Sequence, residues 1–297
     1  MRVKLKIPAT TANMGPGFDC LGCALSLYTY IELEDIPNGL EVFGCDDKYC
    51  NEENLVYTSY LRALEYIGID KNSRGVRIVI DANVPVSRGL GSSATMIVGG
   101  VVGANILCGS PLTTKEIFAI CNEIEGHPDN IAPALFGGLT ASMVKDGVPY
   151  TVQYSVSDSL YFCALIPDFE TSTHEARKVL PKSVDYKDAV YNVSRTAVML
   201  KALESGNEIL LSAAVSDKLH EPYRMKLIHG FEVVRALALS LGAIAFFISG
   251  SGSTLMCITK DPDFGEKMNR AMKEFPNEWE AVMLKISKNG VEVIDAE

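Results

Sequence analysis

Residues Pro85 to Thr95 read P-V-S-R-G-L-G-S-S-A-T. They follow an apolar alternating run, Val76 to Ile80, and open a segment of small and aliphatic residues, Ser92 to about Cys108, with the composition of a buried helix. A strand, a glycine-containing loop and a helix start, in that order, make an anion site. The first N–H groups of a helix lack intrahelical acceptors and sit at the positive end of its dipole, so a phosphate can take them up. Gly89 and Gly91 let the backbone approach a ligand closely. Ser92 and Ser93 add hydroxyls where phosphate oxygens or a divalent cation would lie. The loop lacks the Gly-Lys-Ser/Thr ending of a Walker A sequence, and it is not a dinucleotide fingerprint. Taken alone it is a tight turn with a serine cap. Other stretches of the chain change that balance.

Upstream, Val3 to Ile7 reads as a strand ending at Pro8, followed by a turn-rich loop from Ala9 to Asp19 that presents Asn13 and Asp19 around Gly15, Pro16 and Gly17. Leu25 to Leu33 reads as the return strand. Glu34 to Glu53 is acidic and loop-like, and Asn54 caps a helix that runs to Ile69. Downstream, Thr113 or Thr114 caps a helix through Glu125. The next residues, E-G-H-P-D-N from Glu125 to Asn130, place two carboxylates, an imidazole and an amide within six residues. A short helix, a Gly-Gly turn and a strand pair to Ser155 follow.

The second half begins with a strand, Leu160 to Ile166. It carries Arg177 in a short helix, S-T-H-E-A-R-K-V-L-P, and Arg224 near the start of a helix read as Pro222 to Leu241. Two guanidinium groups on one site would bind a carboxylate in bidentate fashion. Ala243 to Ile248 is a strand entering a second glycine-serine loop, I-S-G-S-G-S-T, Ile248 to Thr254. A return strand, a helix from Phe264 to Phe275 and strands Ala281 to Ile286 and Gly290 to Ile294 complete the chain.

At 297 residues, two domains are expected, with a boundary near Ser155 to Ser159. A net charge of −10 and no Lys/Arg cluster argue against nucleic acid or an anionic membrane as the main partner, so an anionic small molecule would be held by local groups. No signal peptide or apolar run of spanning length is present, and a cytoplasmic location is expected. Most of the eight cysteines read as reduced core residues. Cys20-x-x-Cys23 lacks a second ligand pair, and Cys45 and Cys50, in the acidic loop, do not complete a zinc site.

Three of these stretches, P-A-T-T-A-N-M-G-P-G-F-D, P-V-S-R-G-L-G-S-S-A-T and I-S-G-S-G-S-T, resemble in order and spacing the three motifs of the GHMP kinases. E-G-H-P-D-N-I-A-P-A, S-T-H-E-A-R-K-V-L-P and D-K-L-H-E-P-Y-R are similar to the versions found in the homoserine kinases of that superfamily. The resemblance implies an α+β, two-domain fold: a ribosomal protein S5 domain 2-like N-terminal ATP-binding domain, residues 1–156, and a ferredoxin-like C-terminal domain, residues 157–297. It implies that ATP phosphorylates the side-chain hydroxyl of L-homoserine, giving O-phospho-L-homoserine on the way to threonine. It also suggests a homodimer.

By that resemblance Pro85, Val86, Ser87, Arg88, Gly89, Leu90, Gly91, Ser92, Ser93, Ala94 and Thr95 wrap the triphosphate, and Asn54 and Val56 approach the adenine. Ser93, in preference to Ser92, shares Mg²⁺ with Glu125. Asn13, Asp19, His127, Arg177 and Arg224 match the homoserine site: Asp19 suits the ammonium and the arginines the carboxylate. Asn130 stands where sister families carry an aspartate base, so catalysis by alignment and charge neutralisation is expected. Ser253 replaces a proline of many related loops, which implies a less rigid third motif. The alternatives are a GHMP kinase for another small hydroxylated acceptor, or a non-catalytic ligand sensor on the same fold.

Overall fold

The computed structural model describes residues 1–297. Strands β1 (Arg2–Ala12) and β2 (Leu21–Ile36) form a long antiparallel pair. The strand expected to end at Pro8 continues to Ala12, because a register shift between Pro8 and Ala9 absorbs the missing N–H. Thr10 and Thr11, expected in a loop, are therefore fully buried strand residues. The acidic stretch expected to be loop holds β3 (Leu40–Phe43), which pairs in parallel with β4 (Gly75–Ala82). Four half-exposed residues are too short a run for alternation to reveal.

Helix α1 (Leu55–Ile67) starts where Asn54 Oδ1 accepts the Val56 N–H at 2.9 Å, and α2 (Ser92–Leu107) follows the glycine loop. Helix α3 (Thr114–Glu125) opens with a Thr113/Glu116 capping box, and α4 (Pro128–Phe136) leads into the hairpin β5 (Leu139–Lys145) and β6 (Val148–Tyr154). The hairpin joins the first sheet beside the start of β2. A core of 27 buried residues lies between this sheet and the helices. α2 is apolar all round because it is covered on both sides, by the sheet and by α1. Gly100 permits the contact with α1: a Cβ there would stand 2.3 Å from the Val56 carbonyl oxygen.

The second half contains β7 (Tyr161–Pro167), α5 (Thr173–Lys178), α6 (Tyr186–Ser205), α7 (Glu208–Ala214), α8 (Glu221–Arg224) and α9 (Phe231–Ser240). It ends with β8 (Ala245–Ile248), β9 (Leu255–Thr259), α10 (Phe264–Ala271) and β10 (Trp279–Leu284). Its sheet runs β10-β7-β9-β8, antiparallel throughout, which is the ferredoxin-like order. The helix expected from Pro222 to Leu241 is broken: Ile228 is extended and Gly230 has φ 79°, so α8 and α9 are separate. The last strand, β11 (Glu292–Ala296), returns to the first sheet beside β1. This is the two-layered α+β architecture expected from the sequence. No helix is long and apolar enough to cross a membrane.

Candidate active site

The three glycine-rich stretches meet. Thr10 N–H donates to Leu90 O at 3.0 Å, Gly250 N–H to Ala12 O at 3.1 Å, and Thr254 N–H to Arg88 O at 3.2 Å. Ser249 Oγ donates to Gly89 O at 2.6 Å and lies 2.8 Å from the Thr11 hydroxyl, within hydrogen-bond distance. Gly89 has φ 72°, and a Cβ on it would sit 2.2 Å from Ser249 O, so only glycine lets the second and third loops touch. Ser253 Oγ donates to Phe169 O at 2.6 Å, and this tether holds the third loop where proline stiffness was expected to be missing.

Beside this junction lies a cleft of about 520 Å³. Of the expected site residues it brings together Asn13, Asp19, Asn54, Pro85 to Gly89, Gly91 to Ser93, Glu125, His127, Asn130, Arg177 and Arg224. Val56, Leu90, Ala94 and Thr95 do not line it: all four side chains are buried. Thr95 Oγ1 is used up on Ser92 O at 2.8 Å. The Arg88 guanidinium is turned to backbone, donating to Pro167 O and Asp168 O at 2.9 Å each, so it ties the loop to the second half.

At one end of the cleft, Ser93 Oγ donates to Glu125 Oε1 at 2.7 Å, while Ser92 is nearly buried. Glu125 is the last residue of α3, at the negative end of that helix, and makes no ion pair. Burial raises its pKa above the usual carboxylate value, against the pull of His127 and the Ser93 hydroxyl. A hydroxyl and a carboxylate outside any ion pair, beside the N-terminus of α2, are the kind of oxygen donors that would suit a hard divalent cation.

At the other end are the charges of both signs. Arg177 pairs with Asp19 through both oxygens, at 3.1 and 2.9 Å. Arg224 is only 2% exposed. Its Nε donates to Ala176 O at 3.1 Å and its second nitrogen to Gly250 O at 3.0 Å, and no carboxylate contacts it. Burial, then the neighbouring Arg177, lowers its pKa. Phe18 lies between them, its ring centroid 5.8 Å from the Arg177 guanidinium and 5.1 Å from that of Arg224. Asn13 is fixed at both ends, donating to Gly250 O at 2.8 Å and accepting the Asp19 N–H at 3.0 Å.

Asp129 was visible in the sequence as one member of a polar cluster without a role of its own. It is buried, and its Oδ1 lies 2.6 Å from His127 Nδ1. Burial disfavours the charged ring, but the Asp129 hydrogen bond and charge, with Glu125, raise the His127 pKa. Thr10 Oγ1 donates to Asn130 Oδ1 at 2.7 Å, fixing that amide. Ligand atoms of Asp19, His127 and Asp129 lie within 4.8 Å of one another, but Arg177 and the imidazole already pair these carboxylates. Capping and charge patterns place such residues near a loop; only the folded chain shows which acid faces which base.

The cleft joins a helix N-terminus, a carboxylate-hydroxyl pair and a doubly charged recognition end. Residues 54–138 match the GHMP kinases N terminal domain, and residues 199–278 match the GHMP kinases C terminal domain. The chain is 45% identical over 293 residues to a homoserine kinase of Clostridium botulinum (strain Okra / Type B1), covering 98% of each. The chain belongs to the GHMP kinase family, in its homoserine kinase branch. This kinase is also 43% identical over 298 residues to a homoserine kinase of Clostridium beijerinckii, covering 99% of each. The crystal structure of a homoserine kinase from Cytophaga hutchinsonii matches with a TM-score of 0.88 at 30% identity, over 99% of this chain and 97% of that one. An L. major mevalonate kinase structure shares the fold with a TM-score of 0.76 at 16% identity, covering 96% of each chain.

One buried acid braces the recognition end of the kinase. Glu221 accepts the Ile248 N–H at 2.7 Å where the third loop begins, and burial raises its pKa to about 8. A raised carboxyl pKa means the folded state holds the proton more tightly. The corresponding stability is present below the unfolded value and is lost as pH rises through about 8. Glu221→Gln keeps the acceptor and removes the titration. Its melting temperature, measured from pH 5 to pH 9, is expected to rise relative to wild type with pH; parallel curves would refute this.

Proposed function

We propose that this kinase transfers the γ-phosphoryl group of ATP to the side-chain hydroxyl of L-homoserine, giving O-phospho-L-homoserine for threonine synthesis. The observation that carries the reading is Arg224, a buried guanidinium with no anionic partner, beside the exchangeable Asp19–Arg177 pair. A buried cation left unpaired is costly, and a ligand carboxylate offsets that cost. Arg177 and Arg224 take the α-carboxylate of the amino acid. Its ammonium replaces Arg177 on Asp19, and Asn13 and His127, with Asp129 behind the imidazole, accept or donate the remaining hydrogen bonds. A zwitterion thus fits where a sugar or mevalonate, lacking an ammonium, would leave Asp19 unanswered.

The loop from Pro85 to Ser93 cradles the triphosphate on the α2 N-terminus, with adenine toward Asn54. Ser93 and Glu125 are the residues that would hold Mg²⁺, which neutralises phosphate charge when bound. In this reading residues 1–156 carry the nucleotide and 157–297 close the acceptor end. Asn130 offers an amide, fixed by Thr10, and no carboxylate base reaches the acceptor from that position. Phosphoryl transfer through a loose transition state needs little proton abstraction early, so alignment and charge neutralisation supply the rate.

ADP release with Mg·ATP and L-homoserine, L-threonine, L-serine, mevalonate or galactose tests the assignment. Strong turnover is expected with L-homoserine alone. Tight ATP binding with turnover on none of them would overturn it in favour of a ligand sensor. Asn130→Ala is expected to lower kcat by less than about tenfold, since an aligning amide contributes less than charge neutralisation.

A further inference from the structure

Cys45 and Cys50 flank a short helical turn (Asp47–Tyr49) at the nucleotide side of the cleft, and their sulfurs lie 3.6 Å apart. Cys50 is exposed and Cys45 partly so. By contrast Cys163 and Cys257, opposite each other on β7 and β9, are buried in the core beyond reach of an oxidant. Cys45, Asp46, Tyr49 and Asn54 line the cleft. Three of them are joined: Asn54 Nδ2 donates to Tyr49 O at 2.9 Å and lies 3.9 Å from Cys45 Sγ, while Asn54 Oδ1 caps α1.

We propose that Cys45 and Cys50 are a modification site, forming a reversible intraloop disulfide under hydroperoxide that weakens nucleotide binding. A disulfide bond is about 2.05 Å long, so the sulfurs close by roughly 1.5 Å and carry Tyr49 and Cys45 with them. Exposed Cys50 meets the peroxide first. Burial, the Cys50 thiol and the charges of Asp46 and Asp47 push the Cys45 pKa up to about 11, which keeps Cys45 a thiol until the second step. In the first step the Cys50 sulfur bonds to one peroxide oxygen as the O–O bond breaks, giving a sulfenic acid and releasing an alcohol or water. In the second, the Cys45 sulfur attacks the Cys50 sulfur, the S–S bond forms and the S–O bond breaks. The hydroxyl leaves with the Cys45 proton as water. Two electrons pass from the thiols to the peroxide, and an external dithiol reverses the change.

The covalent step is independent of the proposed acceptor; its effect on turnover rests on the reading that ATP occupies this cleft. Full-length protein is treated with hydrogen peroxide, then assayed by peptide mass mapping after alkylation and by steady-state kinetics. Expected are a Cys45–Cys50 cross-link, seen as the loss of two hydrogens, and a KM for ATP raised roughly tenfold at unchanged kcat, restored by dithiothreitol. Cys50→Ser is expected to match untreated wild type before oxidation and to keep its KM for ATP afterwards. The proposal is overturned if both thiols remain alkylatable, if the cross-link leaves the KM for ATP unchanged, or if oxidised Cys50→Ser loses activity as wild type does. Absence of turnover in the reduced protein would strike the kinase reading and leave the mapping result to stand by itself.

Discussion

Replacing Glu125 with glutamine is expected to lower kcat roughly 100- to 1,000-fold while changing the KM for L-homoserine less than about threefold. The glutamine keeps the volume and can still accept the Ser93 hydroxyl, which donates at 2.7 Å in the wild type. It removes the carboxylate charge beside Ser93. That carboxylate is held at an electrostatically unfavourable place, buried at the C-terminus of α3, where it gains nothing from the helix dipole. A chain that folds around such a group does so at the expense of stability, and a bound cation offsets it. The effect should therefore fall on the chemical step and be partly recovered by raising Mg²⁺. Turnover within tenfold of wild type, or a loss equal to that of Asn130→Ala, would mean that Glu125 does not hold the cation.

Replacing Arg224 with methionine is expected to lower kcat/KM for L-homoserine roughly 100- to 1,000-fold, a loss of about 3–4 kcal/mol. The stem is preserved and the guanidinium lost, so the penalty measures recognition of the carboxylate. Because Arg224 also donates to Ala176 O and Gly250 O, two carbonyls lose a partner, and nucleotide affinity must be measured alongside to show that the fold stands. Arg177→Met, at a half-exposed position, perturbs the interior less and should cost roughly tenfold. Arg224→Lys should recover only part of the loss, since an ammonium cannot make the forked contact. If Arg224→Met keeps wild-type kcat/KM for L-homoserine, the zwitterion reading of this end fails.

The sequence by itself determined what depends on neighbours along the chain. Asn54, and a threonine at 113 or 114 that the structure resolves as Thr113, were legible as caps because a cap is a contact between residues two or three apart. The glycine loop before α2 and the apolar surface all round that helix were equally local, as was the grouping of acid, imidazole and amide from Glu125 to Asn130. What only the tertiary structure decided were contacts between distant residues. Asp19 and Arg177 are 158 positions apart, and no pattern in either segment announces that they pair. Arg224 is buried with no carboxylate against it, and burial of one side chain is a property of the assembled core. β3 and β11 escaped or changed sheet for the same reason: each is short, and the partner strand supplies the hydrogen bonds that make it a strand. The inward turn of Val56, Leu90, Ala94 and Thr95, within or beside motifs that otherwise face the cleft, follows from packing on both sides of α2. Short-range preferences place chemical groups along the chain; long-range packing sets which of them face one another.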